Sequence, residues 1–119
     1  MNPIPIRPFG ARRVWAPTGA EASAFDRFAI DNQGVPQETL MECAGRSAAH
    51  VLELIFPRGE VVAFIGTGNN GGDGLVLLRT LRAWGRPVRA VLVGDGDVRE
   101  DLLHSWDVPL RSDADLLAT

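Results

Sequence analysis

Cysteine is nearly absent from the chain, and so is any excess of positive charge. The single cysteine, Cys43, cannot form a disulfide within the chain, which favours a reducing, cytoplasmic compartment. We expect Cys43 to be a small packed residue of a helix. Twelve Lys and Arg stand against 15 Asp and Glu, so the net charge is −3. Nucleic-acid-binding domains normally carry a basic surface, and no nucleic-acid partner is therefore expected.

Long apolar runs are missing as well. No segment approaches the roughly 20 apolar residues of a membrane-spanning helix, and the N-terminus lacks the apolar run of a signal peptide. We therefore expect no membrane partner. The hydrophobic fraction of 45% is ordinary for a globular protein with a core, and 119 residues fit one domain. Pro3, Pro5, Pro8 and Pro17 indicate an extended arm over residues 1–17, which leaves residues 18–119 as the domain.

Two amphipathic helices are predicted first. Thr18 and Glu21 have the spacing of a capping box, which starts a helix over about 19–32 with Phe25 and Phe28 on one face. Gly34 can adopt the left-handed backbone conformation that commonly ends a helix. A second helix over about 37–55 carries apolar residues three or four apart.

Strands and helices then alternate. Val61–Ile65 is a continuous apolar run, typical of a strand buried on both faces of a parallel sheet. The patterns that follow predict a helix from about 72–74 to Gly85, a strand over 87–93, a helix marked by Val98, Leu102 and Trp106, and a short strand over 108–110. Residues 113–118 begin one more element. This alternation predicts an α/β fold with a mostly parallel sheet, whose ligands bind beyond the carboxyl ends of the strands.

The segment Gly66–Gly74, Gly-Thr-Gly-Asn-Asn-Gly-Gly-Asp-Gly, follows the first strand and precedes a helix. It fits the G-x-G-x-x-G pattern of a dinucleotide site, with Asp95 near the distance of a ribose-binding acid. It is not a P-loop, because no Lys-Ser/Thr pair follows the glycines. Asp95 and Asp97 are equally compatible with ribose contact and with a solvated turn.

The side chains of this loop favour a more specialised site. Glycines let backbone N–H groups approach a ligand, and a helix N-terminus favours negative charge. Asparagine adds carbonyl oxygens that coordinate a hard cation and NH₂ groups that donate to phosphate or hydroxyl oxygens. Asp73 would repel a phosphate, so we expect it to cap the helix or to accept from a ligand hydroxyl.

The nine-residue segment resembles the signature of the YjeF N-terminal domain family, the NAD(P)H-hydrate epimerases. Gly34-Val35-Pro36 and Leu40-Met41-Glu42-Cys43-Ala44-Gly45 resemble a helix of the same family, with Cys43 at a position where Asn is commoner. The resemblance covers about Thr18 to the C-terminus. It implies a Rossmann-like three-layer α/β/α sandwich.

Membership would imply an isomerase that interconverts the R and S forms of NADHX and NADPHX, so that a separate dehydratase repairs the S form. Matched position by position, the residues in contact with this substrate would be Asn69, Asn70, Gly71, Gly72 and Asp73. Asn70 would also help to bind a potassium ion. Family members commonly form dimers.

The C-terminal part departs from the family pattern. The family's domain continues through a Phe-Gly-Thr-Gly-like loop to a further acidic residue, so the expected general acid/base would lie beyond Thr119, and no catalytic residue is assigned. Two alternatives therefore stay open. One is a truncated, non-catalytic nucleotide-binding module of the family, and the other is a fragment of an NAD-binding oxidoreductase.

Overall fold

The computed structural model describes residues 17–104 and 106–112. The chain divides into two compact units, residues 1–35 and residues 36–119. Except for Pro17, the predicted arm over 1–17 lies outside the described residues, and so does the element predicted over 113–118. The proposed domain limits of 18–119 stay a prediction.

The first unit contains helix α1, Gly19–Asp31. The Thr18 hydroxyl accepts from the Glu21 backbone N–H at 3.1 Å, and the Glu21 carboxylate accepts from the Thr18 N–H at 3.0 Å. The predicted capping box is therefore confirmed. The helix ends where the Asn32 N–H donates to the Phe28 carbonyl, and Gly34 follows with a φ of +70°. No residue of α1 is buried.

The second unit alternates helices and parallel strands. Its elements, in chain order, are α2 (Gln37–Ile55), β1 (Val61–Ile65), α3 (Asn69–Ala83), β2 (Val88–Leu92), a 3₁₀ helix (Glu100–Leu103) and β3 (Leu110–Ser112). The strands lie in the order β1-β2-β3, and both neighbouring pairs are parallel. The α/β class with a parallel sheet is thus confirmed.

The core of this unit lies between α3 and one face of the sheet. Leu75, Leu78 and Leu81 of α3 are fully buried, as the helical spacing predicts. They pack with Ile65 of β1 and Ala90 of β2. Ala90 pairs with Ala63, which lies two residues before Ile65 and therefore on the same face of the sheet. Ala49 brings α2 into the same cluster. This packing fixes the ends of β1 and α3, and hence the loop between them.

The expectation that β1 is buried on both faces was wrong. Within the described sheet β1 pairs only with β2, and its side chains alternate between the core and the opposite face. Phe64 is 70% exposed and Val62 36%. An apolar run reports β-propensity and hydrophobicity, whereas burial on both faces also requires covering elements.

Two predictions after β2 were partly wrong. The helix expected around Val98, Leu102 and Trp106 is the short 3₁₀ helix; it buries Leu103, while Trp106 is exposed. The last strand begins at Leu110 and not at Val108, because the Val108 N–H donates to the Trp106 carbonyl at 3.0 Å and Pro109 has no N–H to donate to the sheet. The carbonyl of Pro109 accepts from the Ala90 N–H at 2.9 Å, so the sheet ladder starts only there.

Cys43 lies exposed on α2, so the expectation of a packed residue was wrong. The buried face of α2 consists instead of Met41, Gly45 and Ala49. None of the described helices has both the length and the apolar character that crossing a membrane requires.

Candidate functional site

The glycine-rich segment contains a shorter loop and an earlier helix start than expected. β1 ends at Ile65, the loop is Gly66-Thr67-Gly68, and α3 begins at Asn69. The start predicted near residues 72–74 was therefore wrong. Gly68 has a φ of +96°, which disfavours other residues, and its carbonyl accepts from the Gly72 N–H at 3.3 Å. Asn69, Asn70, Gly71 and Gly72, which suggested a loop, instead form the first turn of α3.

This helix start exposes backbone donors and two amide side chains together. The first N–H groups of an α-helix have no partner within the helix, and the capping residue Gly68 has no side chain to satisfy them. Asn69 and Asn70 are exposed in this first turn. The turn therefore offers partial positive charge and hydrogen-bond donors to an anionic ligand.

Gly71 and Gly72 are buried, and they allow close packing. A Cβ on Gly71 would overlap the Gly66 carbonyl oxygen, and one on Gly72 would lie 2.5 Å from the Met41 sulfur. The Gly72 N–H already donates to Gly68. Of these two glycines, Gly71 has the N–H that the helix leaves without a partner. Ligand contact by both glycines stays a prediction.

Asp73 is the fifth residue of α3 and is half-buried. It cannot be the N-cap, because that position belongs to Gly68, and the predicted capping role was wrong. The error follows from the misplaced helix start. The predicted ligand contact of Asp73 remains untested.

The loop after β2 lies beside the glycine-rich loop. The Val93 N–H donates to the Ile65 carbonyl at 2.9 Å, which joins the ends of the two strands. A Cβ on Gly96 would overlap the Thr67 side chain. The structure thus brings exposed Asp95 and Asp97 to the predicted sheet edge, although ribose binding by either carboxylate stays a prediction.

Helix α2 supports the same site through the Leu40–Gly45 motif. Met41 covers Gly72, and a Cβ on Gly45 would lie 2.5 Å from Val76 Cβ and 2.8 Å from the Asp73 carbonyl oxygen. The motif therefore provides the close contact between α2 and the first turns of α3. At the start of α2, Gln37 Nε2 donates to Asn69 Oδ1 at 2.8 Å.

An ion pair between α2 and α3 lies one helical turn beyond the contact of Gly45 with Val76. Arg79 of α3 pairs with Glu42 of α2 and donates through Nη1 to the Leu102 carbonyl at 3.0 Å. Arg79 consequently links α2, α3 and the 3₁₀ helix. Sequence reasoning missed Gln37 and Arg79, because their partners are 32 and 37 residues away in the chain and no local pattern relates them.

Amide and backbone oxygens are among the ligands that this loop offers to a cation. Over residues 17–104 and 106–112, no group of three or more His, Cys, Asp or Glu side chains could hold a metal ion. Asn69 Oδ1 accepts from Gln37, whereas the exposed Asn70 side chain has no hydrogen-bond partner among the described residues. Asparagine carbonyl oxygens can coordinate a hard cation, and potassium binding by Asn70 stays a prediction.

A cleft of about 590 Å³ lies at the opposite, amino-terminal end of the strands, bordered by Trp84 and Pro87. Its buried Arg86 donates to the Gly59 carbonyl, the Arg58 carbonyl and the Glu53 carboxylate at 2.9–3.0 Å. All three nitrogens of this guanidinium are therefore used within the protein. The cleft has a structural arginine at its base and does not compete with the glycine-rich loop as the candidate site.

The fold and this loop define a class: parallel α/β proteins whose ligand site is a glycine-rich strand-to-helix turn at the carboxyl edge of the sheet. Comparison with known proteins identifies the family. The profile described as YjeF-related protein N-terminus matches residues 37–110, more than half of the chain. The chain belongs to this family, and the resemblance drawn from the two motifs is confirmed.

Named relatives and a solved structure agree. A bifunctional NAD(P)H-hydrate repair enzyme, Nnr, of Salinibacter ruber is 39% identical over 82% of this chain and 19% of its own length. An NAD(P)H-hydrate epimerase of Limosilactobacillus fermentum is 32% identical over 84% of this chain and 52% of its own. The crystal structure of yeast ynu0 is similar with a TM-score of 0.69 and 31% identity, over 79% of this chain and 45% of the yeast chain. The chain thus spans about half, or less, of these relatives.

Proposed function

We propose that the chain takes part in NAD(P)H-hydrate epimerisation, in which the R and S forms of NADHX and NADPHX interconvert. The observation that carries the proposal is the pair Asn69 and Asn70 in the first turn of a helix that follows a glycine loop, in a chain of this family. Relatives named NAD(P)H-hydrate epimerase support the substrate class.

The residues at the carboxyl edge have complementary roles in this proposal. The N–H groups of the first turn of α3 bind the phosphates, for which a helix N-terminus provides backbone donors. The Asn69 amide donates to an oxygen of the nucleotide, while Asp73 and Asp95 accept from hydroxyl groups. These residues bind and orient the substrate. Inversion of the hydroxyl-bearing carbon of the hydrated nicotinamide also requires a positioned proton-transfer group, for which we assign no described residue.

Calorimetry and a conversion assay test the two parts separately. We expect the purified chain to bind NADP⁺ and NADPHX, and Asn69→Ala/Asn70→Ala to bind both at least about tenfold more weakly, since two hydrogen-bonding side chains are lost. Absence of heat with every dinucleotide, with or without potassium, would reject the binding proposal.

Accelerated R-to-S conversion would support the enzyme, whereas binding without conversion would favour a non-catalytic module. Unchanged affinity of the double variant would show that the two asparagine side chains do not contribute to dinucleotide binding.

We further propose that Asn70 Oδ1 is a ligand of a potassium ion beside the bound nucleotide. The support is its exposed amide in the first turn of α3, which has no hydrogen-bond partner among the described residues. Nucleotide affinity should be higher in KCl than in an equal concentration of NaCl, and Asn70→Ala should abolish that difference. Asn32→Ala, an exposed amide at the end of α1, is the control. A potassium effect that persists in Asn70→Ala would contradict this role.

The proposed function also implies partners and a compartment. The name of the Salinibacter ruber relative describes a bifunctional repair enzyme, so we propose a dehydratase as the partner activity that consumes the S form. Coupled assays with a purified dehydratase should convert R-NADPHX fully only when this chain is present. Homodimerisation and a cytoplasmic location are further proposals, which light scattering and cell fractionation would test.

A further inference from the structure

One side-chain hydrogen bond joins the first residues of two helices at the candidate site. Gln37 opens α2, Asn69 opens α3, and Gln37 Nε2 donates to Asn69 Oδ1 at 2.8 Å. This distance is that of a good N–H···O hydrogen bond. Both residues are exposed, so the contact does not serve to fill the core.

In the arrangement that the structure shows, the bond leaves the NH₂ end of the Asn69 amide available. An amide has an oxygen that accepts and an NH₂ that donates, and the two can exchange places by rotation about the terminal side-chain torsion. Because Gln37 donates to the oxygen, the Asn69 NH₂ is directed away from Gln37. No acceptor for that NH₂ occurs among the described residues. The free part of the side chain is therefore a donor next to the N–H groups of the same helix turn.

We infer that Gln37 is a positioning residue, which holds the Asn69 amide with its NH₂ toward an acceptor oxygen of the bound nucleotide. This inference rests on the proposed function for its ligand. Without Gln37, the Asn69 side chain would be free to leave the first turn of α3, and binding would have to restrict it. A glutamine partner keeps the side chain in place and, as a donor, lets the Asn69 NH₂ remain directed at the nucleotide, which lowers that cost in advance.

Two substitutions distinguish orientation from simple attachment. Gln37→Ala removes the contact and leaves the amide free to rotate. Gln37→Glu has nearly the same shape but only accepts hydrogen bonds at neutral pH, so it pairs best with an inverted Asn69 amide. The inverted amide would present its oxygen to the nucleotide. If the contact were only an attachment, the Glu variant would preserve it.

We would titrate NADP⁺ into wild type and both variants, in 0.3 M salt to screen exposed charges. Gln37→Ala should bind about three- to tenfold more weakly, as expected for one hydrogen bond, and Gln37→Glu more weakly still. Thr39→Glu, which adds the same charge to the same helix end, should change affinity less than about twofold because exposed charges are screened. In an Asn69→Ala background neither Gln37 substitution should matter. Wild-type affinity of Gln37→Glu, or an undiminished loss in that background, would overturn the inference.

A measurement without nucleotide separates this inference from the proposed function. In ¹⁵N-labelled protein, the Asn69 NH₂ signals should differ between wild type and Gln37→Glu. In the variant they should move again when the introduced carboxylate is protonated, near pH 4. Such changes would support the orientation even if NADP⁺ did not bind. Asn69 NH₂ signals that are identical in wild type, Gln37→Ala and Gln37→Glu would refute it.

Discussion

Gly71 and Gly72 are adjacent in α3, yet alanine should have very different effects at the two positions. Each substitution gains about 1 kcal/mol of helix propensity. At Gly71 the new Cβ would overlap the Gly66 carbonyl oxygen, which is backbone fixed by the end of β1. At Gly72 it would lie 2.5 Å from Sδ and 2.6 Å from Cε of Met41, the flexible end of one side chain.

The expected magnitudes follow from what must move. Displacing the backbone at Gly66 should exceed the usual overpacking cost of about 1–3 kcal/mol, so Gly71→Ala should lose at least about 2 kcal/mol of unfolding free energy after the propensity gain. Moving Met41 should cost about 1–2 kcal/mol, which nearly cancels that gain in Gly72→Ala.

Urea unfolding of the two single variants tests this order, and Met41→Ala serves as the diagnostic partner. Met41→Ala alone should cost about 2–5 kcal/mol. In the double variant, the methyl group of Gly72→Ala occupies part of the space that Met41 leaves. The double variant should therefore be more stable than the sum of the two single effects by a coupling energy of about 0.5–3 kcal/mol. With Gly71→Ala the coupling should be near zero. Equal stabilities of the two glycine variants, or equal coupling of both to Met41→Ala, would refute the reasoning.

Three further perturbations probe other contacts. Gly45→Ala should destabilise by about 1–2 kcal/mol, because its Cβ meets α3 at 2.5 Å; unchanged urea unfolding would contradict the packing role of this glycine. Arg86→Met should cost about 3 kcal/mol in urea unfolding, because it leaves Glu53 and two carbonyls without their partner, and a neutral effect would contradict the assignment. Hydrogen bonds with the Thr18 backbone and hydroxyl lower the pKa of Glu21. The stabilisation of α1 by the ionised Glu21 side chain should therefore be complete at pH values above the ordinary carboxyl pKa. It should be lost as the pH falls through the lowered pKa of Glu21 in the folded protein. In circular dichroism, Glu21→Gln should flatten this dependence, and equal pH profiles would count against it.

Local patterns predicted much of the fold, because they report local forces. The capping box, the bounds 37–55 and 61–65 and the buried leucines of α3 followed from hydrogen-bonding partners three residues apart and from side-chain periodicity. The start of α3 did not. Asparagine and glycine have low helix propensity, so four of them in succession predict a loop. The helix begins there because the packing of Gly71 against Gly66 and of Gly72 against Met41 outweighs that preference.

The geometry of the candidate site was only partly predictable, and the ligand contacts of its residues stay predictions. The string Asn69 to Asp73 and the edge that includes Asp95 could be read from motif and strand order. The support from Gln37 and Arg79 could not, since it depends on where α2 crosses α3. The exposure of Phe64 was likewise invisible, because an apolar strand looks the same whether one or both of its faces are covered.

The glycines of the motif impose two different kinds of constraint on any descendant of this sequence. Gly66 has open space around its α-carbon, while a methyl group on Gly71 would overlap the Gly66 carbonyl oxygen. A lineage that lost the ligand could therefore replace Asn69 and Asn70 freely and still be compelled to keep Gly71 for folding alone. When a function is inferred for a remote relative, a match at the two asparagines is informative about chemistry, and a match at Gly71 chiefly about ancestry and architecture.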